Sequence, residues 1–214
     1  MFVLYVIISV IEFLLEGVYS MKPSFTKHYF GRLGDFDYDT GDFEIWSRTA
    51  GNGYVDMIRY RGRETDGTKI KIPEGVVDLS YCFEGCRLVI PPVIPLSVRI
   101  MQYTFQNCAS LSKGVSIPDG VTRTGFMYQN CRNLVTGSDM PDSIVDASYM
   151  YDGCTSLINP GRVSANLQNG SGLFRNCRVM RVVPDLPDSV LRSGQVFRGC
   201  DFLHDLLGDS DFGL

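Results

Sequence analysis

Histidine is almost missing from this chain: His28 and His204 are the only two in 214 residues, and neither stands in a metal-binding or nucleophile motif. Tryptophan occurs once, as Trp46, and no lysine lies beyond Lys113. No glycine-rich loop suited to cradling a phosphate is present, and no unit repeats a Cys-x-x-Cys pair of the kind a structural zinc site uses. The net charge of −4 gives nucleic acid no electrostatic attraction. Long apolar runs are also lacking. Phe2 to Val10 is apolar, but Glu12 and Glu16 soon interrupt the run, short of the roughly 20 uncharged residues a membrane span needs. No cofactor, metal or catalytic residue is therefore expected. Residues 1–20 read in three ways: as a signal peptide ending near Ser20 but without a positive start, as a start assigned too early with Met21 beginning the chain, or as a helix of the fold.

What the chain does have is a period. Cys86, Cys108, Cys131, Cys154, Cys177 and Cys200 lie 22, 23, 23, 23 and 23 residues apart. An aromatic stands three residues before each: Phe83, Phe105, Tyr128, Tyr151, Phe174 and Phe197. Gly or Asn comes immediately before the cysteine, the residue types that most readily take a left-handed backbone. A hydrophobe stands three residues after, as Val89, Leu111, Leu134, Leu157, Met180 and Leu203. A second marker, Ile117-Pro118-Asp119-Gly120-Val121, recurs as Met140-Pro141-Asp142-Ser143-Ile144 and Leu186-Pro187-Asp188-Ser189-Val190. Proline presets its own dihedral and Asp can bond the backbone ahead, so these are turns. Each unit reads as a short helical turn, a bend, a short extended segment and a Pro-Asp turn. A fixed interval of this length is the signature of a solenoid, whose units bury their apolar faces only by stacking. About six coils at ~4.8 Å each would pair their extended segments into a parallel ladder of roughly 25 to 30 Å.

Two departures are expected to show locally. Val163-Ser164-Ala165-Asn166-Leu167 replaces a Pro-Asp turn, which predicts an altered turn in an unbroken register. The unit after Cys86 is one residue short and carries Pro91, Pro92 and Pro95, which cannot donate to a ladder and predict an irregular first coil.

The pattern aromatic-x-[Gly/Asn]-Cys-x-x-Leu and then Ile-Pro-[Asp/Glu]-[Gly/Ser]-Val resembles the BspA-type leucine-rich repeat. The variant at Met127 to Cys131 and Met150 to Cys154 is similar to the related repeats of mycoplasma-type surface lipoproteins. The resemblance covers residues 70–205. It implies a leucine-rich-repeat-like right-handed coil stack with short parallel strands and short helical turns. It also implies a non-enzymatic module for adhesion or protein recognition at a cell surface, with no catalytic residue to carry over.

Hydrophobic residues make up 44% of the chain, enough for one elongated array plus a small flanking unit. Residues 21–69 read as an N-terminal β-rich cap: a hairpin turning at Thr40-Gly41, a strand over Tyr54 to Tyr60, and a turn at Asp66-Gly67 into a further strand, Thr68 to Ile72. An open solenoid needs such a cap, and Trp46 is expected to help cover its end. Asp35, Asp37 and Asp39 alternate as in a calcium loop, but Thr40 and Trp46 stand where Gly and Glu are required, which favours the hairpin. The array spans 70–205, and 206–214 form a tail.

One cysteine per unit, and an odd total of seven, favour buried thiols over a disulfide set or a metal series. Arg162, Arg175, Arg178, Arg181, Arg192 and Arg198 read as solvated coil surface. The candidate binding face is the segment between the leucine and the Pro-Asp turn, with Ser112, Lys113, Ser116, Thr136 and Asp139 as its exposed residues. A protein or glycan ligand is the expected partner. An intracellular structural scaffold and a carboxylate-dependent hydrolase remain open beside it; the hydrolase requires a groove that brings two acids together.

Overall fold

The computed structural model of the chain describes residues 42–50, 53–191 and 193–207. Residues 1–20, His28, the Asp35, Asp37, Asp39 series, the turn at Thr40-Gly41, Arg192 and residues 208–214 lie outside the described residues. Two strands come first, β1 (Phe43–Ala50) and β2 (Gly53–Tyr60), paired antiparallel with Phe43 opposite Tyr60 and Trp46 opposite Met57. The strand expected over Tyr54 to Tyr60 is thus present, but its partner runs from Phe43. The expected strand Thr68 to Ile72 is not formed. Asp66 instead accepts from the Thr68 N–H and caps a single 3-10 turn, Gly67–Lys69, because its carboxylate satisfies the first free donor of that turn.

From residue 70 onward the chain is a stack of coils with a continuous core. Phe83, Phe105, Tyr128, Tyr151 and Phe174 are wholly buried and form an unbroken column, ring on ring at 5.4 to 5.8 Å, that Phe197 extends. Phe43 and Tyr60 prolong it past Phe83 at 6.2 and 5.4 Å, and the Tyr60 N–H donates to the Cys82 carbonyl. A second buried column holds the cysteines. Each thiol donates to the carbonyl of the aromatic one coil earlier: Cys108 to Phe83, Cys131 to Phe105, Cys154 to Tyr128, Cys177 to Tyr151 and Cys200 to Phe174, at 3.0 to 3.2 Å. The repeated cysteine is therefore a small apolar group that also satisfies one carbonyl per coil.

Three readings are corrected in this region. The short helical turns are successive i to i+3 turns. Two left-handed residues per coil keep them from becoming helix: one before the cysteine, as at Asn107, Asn130 and Asn176, and one five before it, as at Tyr103, Phe126 and Tyr149. Among the described residues of the array, helix appears only near its end, in α1 (Asp188–Leu191) and α2 (Asp201–Leu207). The short parallel strands are single bridges, two rows of them, Asp78–Ile100–Arg123–Asp146–Asn169 and Lys113–Thr136–Asn159, with a separate Asp66–Ile90 bridge before them, because a turn every few residues leaves no room for longer pairing. The inward hydrophobe of the first coil is Leu88, wholly buried, whereas Val89 is 48% exposed. The missing residue falls directly after Cys86, and everything beyond shifts by one. Cys82 belongs to neither series; it fills the buried column of Met127 and Met150, four residues before the ladder cysteine.

The turn at Ser164 is not altered. Leu167 N–H donates to the Ser164 carbonyl at 3.2 Å, as Ile144 does to Pro141 and Val121 to Pro118. The Ser164 hydroxyl, which proline lacks, donates to the Ile144 carbonyl and accepts from Asn166 N–H. A serine side chain here supplies the restraint that the pyrrolidine ring supplies elsewhere.

Candidate functional site

The face between leucine and turn repeats one order on two coils: two residues out, two in and one out. Ser112, Lys113, Ser116, Thr136 and Asp139 are all exposed, whereas Gly114, Val115, Gly137 and Ser138 between them are buried. The coils are joined here by Val135 N–H to Ser112 carbonyl (2.9 Å), Gly114 N–H to Thr136 carbonyl (2.8 Å) and Gly137 N–H to Asn159 carbonyl (2.8 Å). The five residues singled out in the sequence thus lie on neighbouring coils of one surface. The buried four are part of the core. A side chain at Gly114 would run into Ser138, and one at Gly137 into Pro160 and the Tyr151 hydroxyl, so these glycines are required by close approach.

This face is held from behind. Tyr128 Oη accepts from the Val115 N–H at 2.9 Å, and Tyr151 Oη accepts from the Ser138 N–H at 2.9 Å, thirteen residues back in each case. Thirteen residues before Phe105 and Phe197 stand Pro92 and Pro184, which have no N–H. Before Phe174 stands Gly161, whose N–H donates to Asn159 Oδ1 instead. Before Phe83 stands Ile70, whose N–H is taken by the Gly67 carbonyl. Tyrosine occurs in the column where a buried donor must be satisfied and phenylalanine where none is left over. Burial pushes the Tyr128 and Tyr151 phenols up, so both stay protonated.

The charged groups on the surface are tied locally. Arg162 pairs with Asp142 at 2.7 Å, and this contact with the Ala165 N–H holds the Asp142 carboxyl below its usual range. Arg175 makes a two-point pair with Asp152 at 2.9 and 3.1 Å and lies over the Tyr149 ring; the Asp152 contact raises the guanidinium pKa. Arg178 is 3.9 Å from Asp201, and Arg181 covers the Phe202 ring. These arginines serve separate local contacts on the coil surface.

Sequence reasoning missed two surface rows. Tyr81, Tyr103, Phe126 and Tyr149 stack face to face at 4.5 to 5.1 Å on the outside, two residues before the inner aromatics. The aromatic-x-aromatic triplets, such as Tyr103-Thr104-Phe105, carried that signal. Beside them Gln106, Gln129, Asp152 and Arg175 link coil to coil through side chains, with Asp152 almost fully buried. No single residue type marks this row.

Six of the seven thiols are closed to solvent chemistry, and Cys86 is partly exposed. Burial pushes Cys82, Cys108, Cys131, Cys154 and Cys177 far above the usual thiol range and Cys200 up to about 12. Among the described residues no three of His, Cys, Asp and Glu come together as a metal site, and no helix is long and apolar enough to cross a membrane.

No family model matches the chain, and no curated protein matches its sequence significantly. Its structure is similar to that of a leucine-rich repeat protein of T. pallidum, at 23% identity and a TM-score of 0.53, over 80% of this chain and 92% of that one. A leucine-rich cell surface protein of Faecalibacterium prausnitzii aligns at 21% identity and a TM-score of 0.34, over 56% of this chain and 39% of that one. The first of these shows the fold, a leucine-rich-repeat solenoid, in agreement with the sequence resemblance.

Proposed function

We propose that this chain is a non-enzymatic recognition or adhesion module that binds a protein or glycan partner through the solenoid face carrying Ser112, Lys113, Ser116, Thr136 and Asp139. The observation that carries the proposal is the repeated order on that face, two residues out, two in and one out. Backbone hydrogen bonds and two tyrosine hydroxyls fix the buried residues, so the exposed ones are presented at set spacing with little ordering left for binding to supply. Residues 21–69 act as the N-terminal cap in this reading. The resemblance to BspA-type repeats supports a location at the cell surface, and an intracellular scaffold is the reading it must displace.

The test is binding of the full chain to a panel of secreted proteins and to a glycan array, compared with the double variant Lys113→Glu, Thr136→Lys. Both side chains are exposed, so the denaturation midpoint should stay where it is while affinity for the captured partner falls by about tenfold or more. An unchanged affinity would place the binding face elsewhere.

Asp139 and Asp185 line one cleft, which gives the hydrolase reading a place to be tested. Both are exposed, whereas a carboxylate that acts as general acid needs surroundings that keep it protonated. No product is expected from incubation with polysaccharides. Turnover that Asp185→Asn abolished would establish an enzyme.

A further inference from the structure

The coil-to-coil stitching of the binding face stops at one place. Gly114 and Gly137 donate to the next coil's Thr136 and Asn159 carbonyls, and the residue that would continue the row is Pro160, which has no N–H to give to Val182. One step further along the same coils, Met140 N–H donates to the Arg162 carbonyl, but Val163 makes no such bond to Asp185. Beyond Val182 the last coil departs from its neighbour. The N–H and carbonyl groups of Val183, Asp185 and Leu186 make no hydrogen bond among the described residues, and neither do those of Val163.

The gap is an open cleft of about 690 Å³ between residues 159–165 and 182–187. Val163, Ala165, Val182 and Leu186 supply apolar lining, and Asp139 and Asp185 supply carboxylates. Arg162 also lines it, but its charge is taken up by Asp142. Asp139 uses one oxygen to accept from the Arg162 N–H, and Asp185 accepts no hydrogen bond from any described residue. The cleft therefore has main-chain groups of Val163, Asp185 and Leu186 that bond no described residue, aliphatic side chains within it, and a negative balance at its edge.

We infer that this cleft takes an extended peptide segment of a partner protein, one that alternates small aliphatic residues with lysine or arginine. An added strand would pair with the open backbone of residues 183–186 and place alternate side chains on opposite sides, aliphatic ones inward and cationic ones toward Asp139 and Asp185. A strand carrying acids would meet those two carboxylates instead, so charge sets the preference. The inference rests on the recognition reading above and gives it a partner class.

The test uses the full ¹⁵N-labelled chain and two capped peptides, Val-Lys-Val-Lys-Val and Val-Glu-Val-Glu-Val, with amide shift mapping. The lysine peptide should move the amides of Val183, Asp185 and Leu186 in a saturable way and bind about tenfold or more tightly than the glutamate peptide. Asp185→Lys, an exposed substitution whose folding the same spectrum reports, should remove most of that preference. Equal binding of the two peptides, or no change at these amides up to millimolar peptide, overturns the inference. Shifts confined to the Lys113 and Thr136 face would also overturn it, while leaving the recognition reading standing; loss of both that face and the cleft as binding sites would remove the reading as well.

Discussion

At the scale of the residue, the inner aromatic column carries the plainest commitments. Tyr151 is wholly buried, stacks between Tyr128 and Phe174, and bonds Ser138 and Pro160 through its hydroxyl. Tyr151→Ala should cost about 3 to 5 kcal/mol in a denaturant titration, since it opens a cavity that stacked coils on both sides keep from collapsing. Tyr128→Phe is a finer probe. It keeps the ring and removes only the oxygen, which accepts from Val115 N–H and bonds Ser138 Oγ at 2.8 Å, leaving the buried Val115 donor unmet at a cost of about 1 to 3 kcal/mol. The same exchange has no counterpart at Phe105 or Phe197, where the residue thirteen back is a proline without an N–H. If Tyr128→Phe leaves the midpoint unmoved, the pairing of tyrosine with donor and phenylalanine with proline has no energetic meaning.

At the scale of the element, the coil depends on backbone sign as much as on side-chain burial. Asn130 precedes its cysteine with φ of 62°. Asn130→Gly should be tolerated and Asn130→Val should cost about 1 to 2 kcal/mol, because a β-branched residue is strained in the left-handed region. Equal midpoints for the two variants would mean that the coil tolerates the loss of this conformation. The left-handed step before the cysteine was legible in the sequence, because Gly and Asn recur there. The one five residues before it was not. Tyr103, Phe126 and Tyr149 are bulky residues that local preference would keep out of that region, and only the stacking of coil on coil sets them there. The same contrast runs through the rest of the fold. Inward columns, turns and the exposure of the residues on the proposed binding face were readable from spacing. The place of the one-residue deletion, and hence Leu88 in place of Val89, needed the backbone pairing of Val89 with Thr65 to be seen. The cleft was signalled only by Pro160, one proline in the row where Gly114 and Gly137 stand.

At the scale of the whole molecule, the columns of aromatic and thiol run through every coil, so the array is in effect a one-dimensional stack in which each unit is completed by the next. The columns are continued differently on the two sides. Phe43 and Tyr60 continue the rings at the start, and at the far end His204 Nε2 lies 3.1 Å from the Phe197 carbonyl, the place a further cysteine would take. The stack as a unit is tested most directly by counting thiols. Intact mass should be measured after alkylation of the full chain at neutral pH, once folded and once in denaturant. Seven labels are expected in denaturant, since all seven cysteines are free, and rapid labelling of Cys86 alone in the folded chain, since it is the only one not buried. Fewer than seven labels in denaturant, or prompt reaction of Cys131 and Cys154 in the folded chain, would contradict the buried, reduced column on which the solenoid is built.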